Sequence, residues 1–429
     1  MHGEDMCEQA STRARLRSSS TRLAHGGVAA RPHWLPRSGP GNSSLPPELW
    51  GMTLSQWVAL TIACLFGQGG DVKQAEYTDW HAINRACVKP WTQEAPDAGL
   101  ALLLNGGRPR RAEAFIVHVW DECALEAMVA VLGRCLAVGL TFETPVWFDT
   151  FSCYQPRLHG SGGGDTLADV VPRVFGTNPP HGAIVAHTAR ADVYGRLWCL
   201  HELHEACRLR LPVSAAASME YMAELCAEAS PDGRAVGGCA VASDVDVESA
   251  TCTSSEDERM LRSTIEQGSG HCAVNAHVGQ LRRRELASLS SVAEALSAWE
   301  TLLKERHGLR NQLSYLADSV QSAGVLVGVH CLRRLCADAP GEDPSYEAQA
   351  LLWARGAAED LAQAELLVPG RAPPPFLRLA PGREDAFADL EALLDEDGPL
   401  AACLDNLGNL EALLALLRSQ AGGEALRGS

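Results

Sequence analysis

The string Tyr194-Gly-Arg-Leu-Trp-Cys-Leu-His-Glu-Leu203 holds the residue types best suited to chemistry in this chain. On a helix, Leu200, Leu203 and Cys207 make an apolar stripe, while Trp198, Glu202 and Glu205 recur at i, i+4 and i+7 on another face. Glu202 is therefore expected to point away from the core, with an aromatic ring one turn before it. A solvated helix carboxylate has the same spacing, and spacing alone favours that plainer reading. Other polar groups gather where apolar runs end: Trp120-Asp121-Glu122, Asp149, and His187-Thr188. If those runs are parallel strands, their carboxyl ends line one crevice, the usual ligand position in an open α/β sheet. Asp121 and Asp149 read equally well as plain caps of loops and helices.

Other chemistries fail on spacing. His201 and His204 stand three apart, whereas two zinc ligands on one helical face of a metalloprotease need to be four apart, so no metal site is expected. No cysteine pair has the two-residue gap of common structural zinc sites. Cys153 and Cys199 have no base beside them and read as small buried residues. The run His159-Gly-Ser-Gly-Gly-Gly-Asp165 lacks the Lys-Ser/Thr of a phosphate loop and reads as a flexible surface loop.

The elements that must position these groups alternate between strand and helix. Ala114–Trp120, Thr144–Asp149 and Gly182–Thr188 are short apolar runs of the kind that form strands buried on both faces. Leu125–Val138 and Thr166–Phe175 have helical spacing between them. Asp192 is placed to cap a helix running to about Leu209, and Leu211–Ser214 opens a fourth strand. The pattern predicts an α/β domain with a parallel sheet over residues 112–268.

Around that domain the sequence changes character. Residues 1–48 carry Arg13, Arg15, Arg17, Arg22, Arg31 and Arg37 among serines, with no apolar period, and are expected to be a disordered basic arm. Residues 49–111 form a helical lead-in, in which Trp57–Phe66 is an apolar stretch about half as long as the ~20 residues a membrane span requires. A buried or docking helix, not a membrane contact, is expected there. From 279 to 429 the spacing of Leu289, Val292, Leu296, Trp299 and Leu303, and segments around Leu326–Cys336, Tyr346–Leu367 and Asp385–Leu417, predict a helical region that scaffolds or binds protein partners.

Composition excludes several classes. With 36 Lys plus Arg against 53 Asp plus Glu, a net −17, the chain lacks the basic footprint of a nucleic-acid binder. Its 15 cysteines, without repeated spacing, read as reduced thiols in a cytoplasmic setting. An organelle transit peptide and an N-terminal signal-anchor are the less favoured alternatives.

The order of these pieces resembles the Toll/interleukin-1 receptor (TIR) domain. Phe115-Ile-Val-His-Val-Trp120, Trp147-Phe-Asp149 and Trp198-Cys-Leu-His-Glu-Leu203 resemble the plant type, whose third helix carries Trp-Cys-Leu-x-Glu-Leu. His118-Val-Trp120, Cys153-Tyr-Gln155 and Arg196-Leu-Trp-Cys199, with the lead-in Val88–Thr92 and the closing Val245–Ala250 and Asp257, look closer still to TIR-like proteins of dinoflagellates and related protists. The resemblance covers about residues 86–268. It implies a flavodoxin-like parallel sheet and a signalling role, with self-association through the TIR-like domain. In a subset of the family it also implies cleavage of NAD between nicotinamide and ribose, NAD being a substrate and no cofactor being needed. Glu202 matches the family's catalytic glutamate, and His118, Trp120, Asp149 and Trp198 would line the NAD pocket. A carboxylate suits that reaction because oxocarbenium charge develops on the ribose. The chain departs from the family at Gly195–Leu197, where a small serine is usual, and in its long glycine-rich loop after the second strand. The alternative function is a non-catalytic adaptor.

Overall fold

The computed structural model describes residues 28–67, 75, 77–95, 97–156, 167–228, 244–307, 312–337, 352–354 and 357. Five strands form one sheet: β1 (Met52–Thr53), β2 (Ala114–Val117), β3 (Pro145–Trp147), β4 (Ala183–His187) and β5 (Val213–Ala217). Their order is β1-β3-β2-β4-β5. β2, β3, β4 and β5 run parallel, and β1 lies antiparallel on the β3 edge. Counted in chain order, the parallel strands read 2-1-3-4, an order of doubly wound sheets whose switch point lies between β2 and β4. Every residue of β2 and β4 is buried, which is why both appear in the sequence as unbroken apolar runs.

The helices, in chain order, begin with α1 (Leu54–Gly67), α2 (Trp80–Ile83), α3 (Lys89–Thr92) and α4 (Leu100–Asn105), a π-helical stretch Asn84–Val88 joining α2 to α3. The crossovers contain α5 (Ala124–Ala137), α6 (Asp149–Ser152), α7 (Leu167–Gly176) and α8 (Leu197–Arg208). After β5 come α9 (Met219–Glu228), α10 (Ser255–Gln267), α11 (His271–His307) and α12 (Gln312–Ala337).

Two apolar cores flank the sheet, as the period of two in a strand requires. Ala114 and Ile116 join α1, α5 and α12 on one face, while Phe115 and Val117 join α7, α8, α10 and α11 on the other. The stretch expected to be a buried helix is α1, in which Leu54 and Trp57–Phe66 are buried. A helix apolar all round has to be covered all round. α12 covers it at close quarters: a Cβ on Gly328 would lie 2.4 Å from the Ile62 side chain, and one on Gly324 would lie 2.4 Å from Val129 of α5. No helix among the described residues is long and apolar enough to cross a membrane.

Three expectations about organisation change. Residues 49–111 supply β1 and α1, so the lead-in is part of the sheet and of its first core. Residues 28–48 are folded: Trp34 and Leu35 are buried, and the Arg31 guanidinium donates to the carbonyls of Trp91, Leu35 and Pro36 at 2.8, 2.9 and 2.6 Å. The remainder of the expected disordered arm lies outside the described residues. The helical region also joins the α/β unit, since Val274, Val278 and Leu281 of α11 and Val325–Val327 of α12 are core residues. The segments expected at Tyr346–Leu367 and Asp385–Leu417 lie outside the described residues, apart from 352–354 and 357.

Local signals behave mostly as their chemistry dictates. Gly182, at φ +61°, enters β4 where a Cβ would stand 1.9 Å from the Pro212 carbonyl oxygen, so this position requires glycine. Asp192 caps the 3-10 turn Val193–Gly195 through the Tyr194 amide at 3.0 Å, not α8 as expected. That turn separates the aspartate from α8, whose first flanking residue is Arg196.

Candidate active site

Three strands deliver their last residues to one polar cluster beside the switch point. His118 follows β2, Asp149 follows β3 and opens α6, and Thr188 follows β4. His118 Nε2 is 2.6 Å from Asp149 Oδ1, and its Nδ1 is 3.5 Å from Glu122 Oε1. Trp120 Nε1 donates to Asp149 Oδ2 at 2.9 Å, and Thr150 N donates to Oδ1 at 2.5 Å. Glu122, fully buried, accepts from Trp80 Nε1 at 3.2 Å and from Thr188 Oγ1 at 3.3 Å. Cys199 Sγ, on α8, meets the His118 carbonyl oxygen at 3.2 Å.

The electrostatics follow from this packing. Burial alone would make His118 neutral, but the Asp149 charge and hydrogen bonds to Asp149 and Glu122 outweigh it and raise the imidazole to about 10. His118 is thus an imidazolium at neutral pH and is no general base. Burial opposes ionisation of Asp149, yet His118, Trp120 and Thr150 hold its carboxyl below the usual range. For Glu122 burial prevails and the carboxyl rises, against the pull of His118, Trp80 and Thr188.

Behind the cluster a second layer of amides fixes the α6 turn. Gln155 Nε2, fully buried, donates to the carbonyls of Asp149 at 3.0 Å and Thr150 at 3.2 Å. Asn84, in the π-helical stretch, donates to Gln155 Oε1 at 3.4 Å, and Asn42 Nδ2 donates to the Ser152 carbonyl at 2.8 Å.

Glu202 is placed differently from the sequence expectation. It is only 5% exposed, and His201, His204 and Glu205 on the same helix are buried as well; α7, α10 and α11 pack against α8. Burial, and then the like charge of Asp149, raise its carboxyl well above the usual range, with His118 opposing. Among the described residues nothing donates a hydrogen bond to it, whereas Glu205 on the same helix is held by Arg208 at 2.7 Å. Asp149 and Glu122 are committed to partners, and Asp121 pairs with Arg196 at 3.2 Å and His81 at 3.4 Å. Of the acids around this cluster, Glu202 is therefore the one with an uncommitted carboxyl among the described residues.

The site residues expected from sequence divide accordingly. His118, Trp120 and Asp149 come together by direct hydrogen bonds through His118 Nε2, Trp120 Nε1 and the Asp149 carboxylate, while His118 Nδ1 faces Glu122 at 3.5 Å. Glu202 lies within electrostatic reach of Asp149 and His118. Trp198 is half-buried against the second core, and its ring contact is with His201 at 6.4 Å. Sequence reasoning named Glu122 and Thr188 only as strand-end residues and missed Trp80. Glu122 carried a signal in its place four residues after His118; Trp80, in the lead-in, carried none. The glycine-rich loop expected after β3 lies outside the described residues, and among those described no group of His, Cys, Asp and Glu could hold a metal ion. No protein-family model, no curated protein and no solved structure significantly matches this chain.

Proposed function

We propose that this chain is a TIR-like signalling protein with a flavodoxin-like sheet that hydrolyses NAD at the nicotinamide–ribose bond through Glu202. The observation that carries the reading is the buried Glu202 carboxyl, uncommitted among the described residues, within electrostatic reach of the Asp149–His118 pair at the carboxyl ends of parallel strands. The strand order and its switch point support it. In this reading the C1′–N bond breaks heterolytically, its electrons passing to the pyridinium nitrogen, so that neutral nicotinamide leaves. The ribose cation is stabilised by the Glu202 carboxylate until water adds at C1′ and loses a proton. The raised proton affinity of Glu202 keeps the empty site from burying a bare anion, and the entering pyridinium charge favours the carboxylate, whose proton passes to water. The unpaired, largely buried thiols Cys64, Cys87, Cys123, Cys135, Cys153 and Cys199 fit a reducing, cytoplasmic compartment.

One observation favours the second reading, an interaction module that self-associates or docks protein partners without catalysis. The motif residues His118, Trp120 and Asp149 are hydrogen-bonded to one another and hold strand ends together, which is a structural role. The two readings part on one experiment: incubation of the purified chain with NAD, and chromatography for free nicotinamide beside Glu202→Ala. Release by the wild type and not by the variant supports catalysis. Equal release by both, or none from self-associated wild type, sinks it.

A further inference from the structure

We infer that Arg282 and Glu285 of α11, outside the span that carries the TIR-like motifs, position the start of the Glu202 helix. They lie three apart and so share one face of α11. Arg282 Nη2 reaches Asp192 Oδ2 at 3.4 Å, and its guanidinium sits 4.6 Å over the Tyr194 ring. Glu285 Oε2 accepts a hydrogen bond from the Tyr194 hydroxyl and stands 3.5 Å from His187 Nε2. Asp192 and Tyr194 belong to the 3-10 turn that leads into α8, and His187 ends β4.

Four of these five side chains, Tyr194, Arg282, Glu285 and His187, are at least nine-tenths buried. Charges taken that far from water persist only when paired, so α11 cannot slide along α8 without stranding both. The contact also reaches the other wall of the crevice. Thr188, next to His187, donates to Glu122, which faces His118. Glu202 is the sixth residue of α8, so a displaced leading turn would carry it away from Asp149. Deletion of a core contact would loosen the whole sheet, whereas loss of a positioning contact loosens the leading turn first.

The test uses the full chain and hydrogen–deuterium exchange mass spectrometry, with no NAD present. In Tyr194→Phe and Glu285→Ala, amides of residues 193–202 should exchange about tenfold faster, the worth of one hydrogen bond to a charged group. The double variant should fall short of the sum of the single ones, because both remove the Tyr194–Glu285 contact. Glu285→Gln, whose side-chain oxygen still accepts from Tyr194, should recover most of the protection. Peptides over β2 and α5 should stay within about twofold of wild type. Unchanged exchange at 193–202, or equal acceleration over β2, overturns the inference. It rests on the NAD reading only for what Glu202 does. Where wild type releases nicotinamide, Tyr194→Phe should lower kcat about tenfold with KM nearly unchanged, and an unchanged kcat overturns it. An exchange pattern as expected from a chain that releases no nicotinamide supports the positioning role while the NAD reading falls.

Discussion

Replacing Asp149 by asparagine tests the electrostatic core of the site. The carboxylate accepts from His118 and Thr150 at Oδ1 and from Trp120 at Oδ2. Asparagine keeps one acceptor and turns an NH2 toward either His118 or the Trp120 N–H, leaving a buried donor facing a donor. The rise of His118 from 6.5 to about 10 corresponds to roughly 5 kcal/mol at ~1.4 kcal/mol per unit, with Glu122 supplying part of it. Losing one partner of a buried ion pair costs about 3–5 kcal/mol, and that range is the expected deficit at pH 6. The pH dependence has a definite sign. A folded pKa raised above the unfolded 6.5 gives stability that is full below 6.5 and is lost as pH rises through about 10. Asp149, held below the usual range, contributes above its unfolded 3.8 and loses that contribution in acid. The gap between wild type and Asp149→Asn should therefore shrink as pH rises toward 10, by at most about 1.4 kcal/mol per pH unit, Glu122 holding part of the rise in both proteins. Urea denaturation followed by tryptophan fluorescence reads it, with the slope m unchanged between the two proteins. A deficit under about 1 kcal/mol at pH 6, or one that is flat to pH 9, refutes the reasoning.

Three other substitutions follow from the same structure. Burial, then the like charge of Glu220, raises Glu126 to about 7 from 4.5, so its stability contribution is full below 4.5 and is lost as pH rises through 7. Glu126→Gln keeps an acceptor for Ala189 N and Ser218 Oγ, so by pH 8 it should exceed wild type by roughly 2–3 kcal/mol in the same denaturation assay. Gly328→Ala gains helix propensity but puts a Cβ 2.4 Å from Ile62, for a net loss of about 1–2 kcal/mol. Gly279→Ala on α11, whose nearest neighbour would be Arg283 at 3.5 Å, should instead stabilise by about 0.5–1 kcal/mol. Equal midpoints for the two glycine variants would mean that α12 does not pack against α1 as described.

The sheet was largely legible because burial on both faces leaves a short-range mark: Ala114–Val117 and Ala183–His187 stand out as apolar runs wherever the rest of the chain goes. The polar residues after those runs were legible for the same reason. The direction of Glu202 was not. Helical spacing reports one apolar stripe, and it cannot report that the polar face of α8 is buried as well, with Glu202 turned toward Asp149 and His118 and with α10 and α11 packed on the helix. Nor could it show that Trp80 and Asn84 of the lead-in reach Glu122 and Gln155, partners 42 and 71 residues away. Arg282 and Glu285 look like ordinary charges on a polar helix until Asp192, Tyr194 and His187 are seen beneath them.

The central claim is that the buried carboxyl of Glu202 breaks the nicotinamide–ribose bond. Nicotinamide release from NAD, measured for wild type and Glu202→Gln at equal concentration and equal fold content, tests it most directly. The account predicts release by wild type and, for the isosteric amide, a loss of about a hundredfold or more, the usual value of a charge-stabilising group. Wild-type release matched by Glu202→Gln would contradict it.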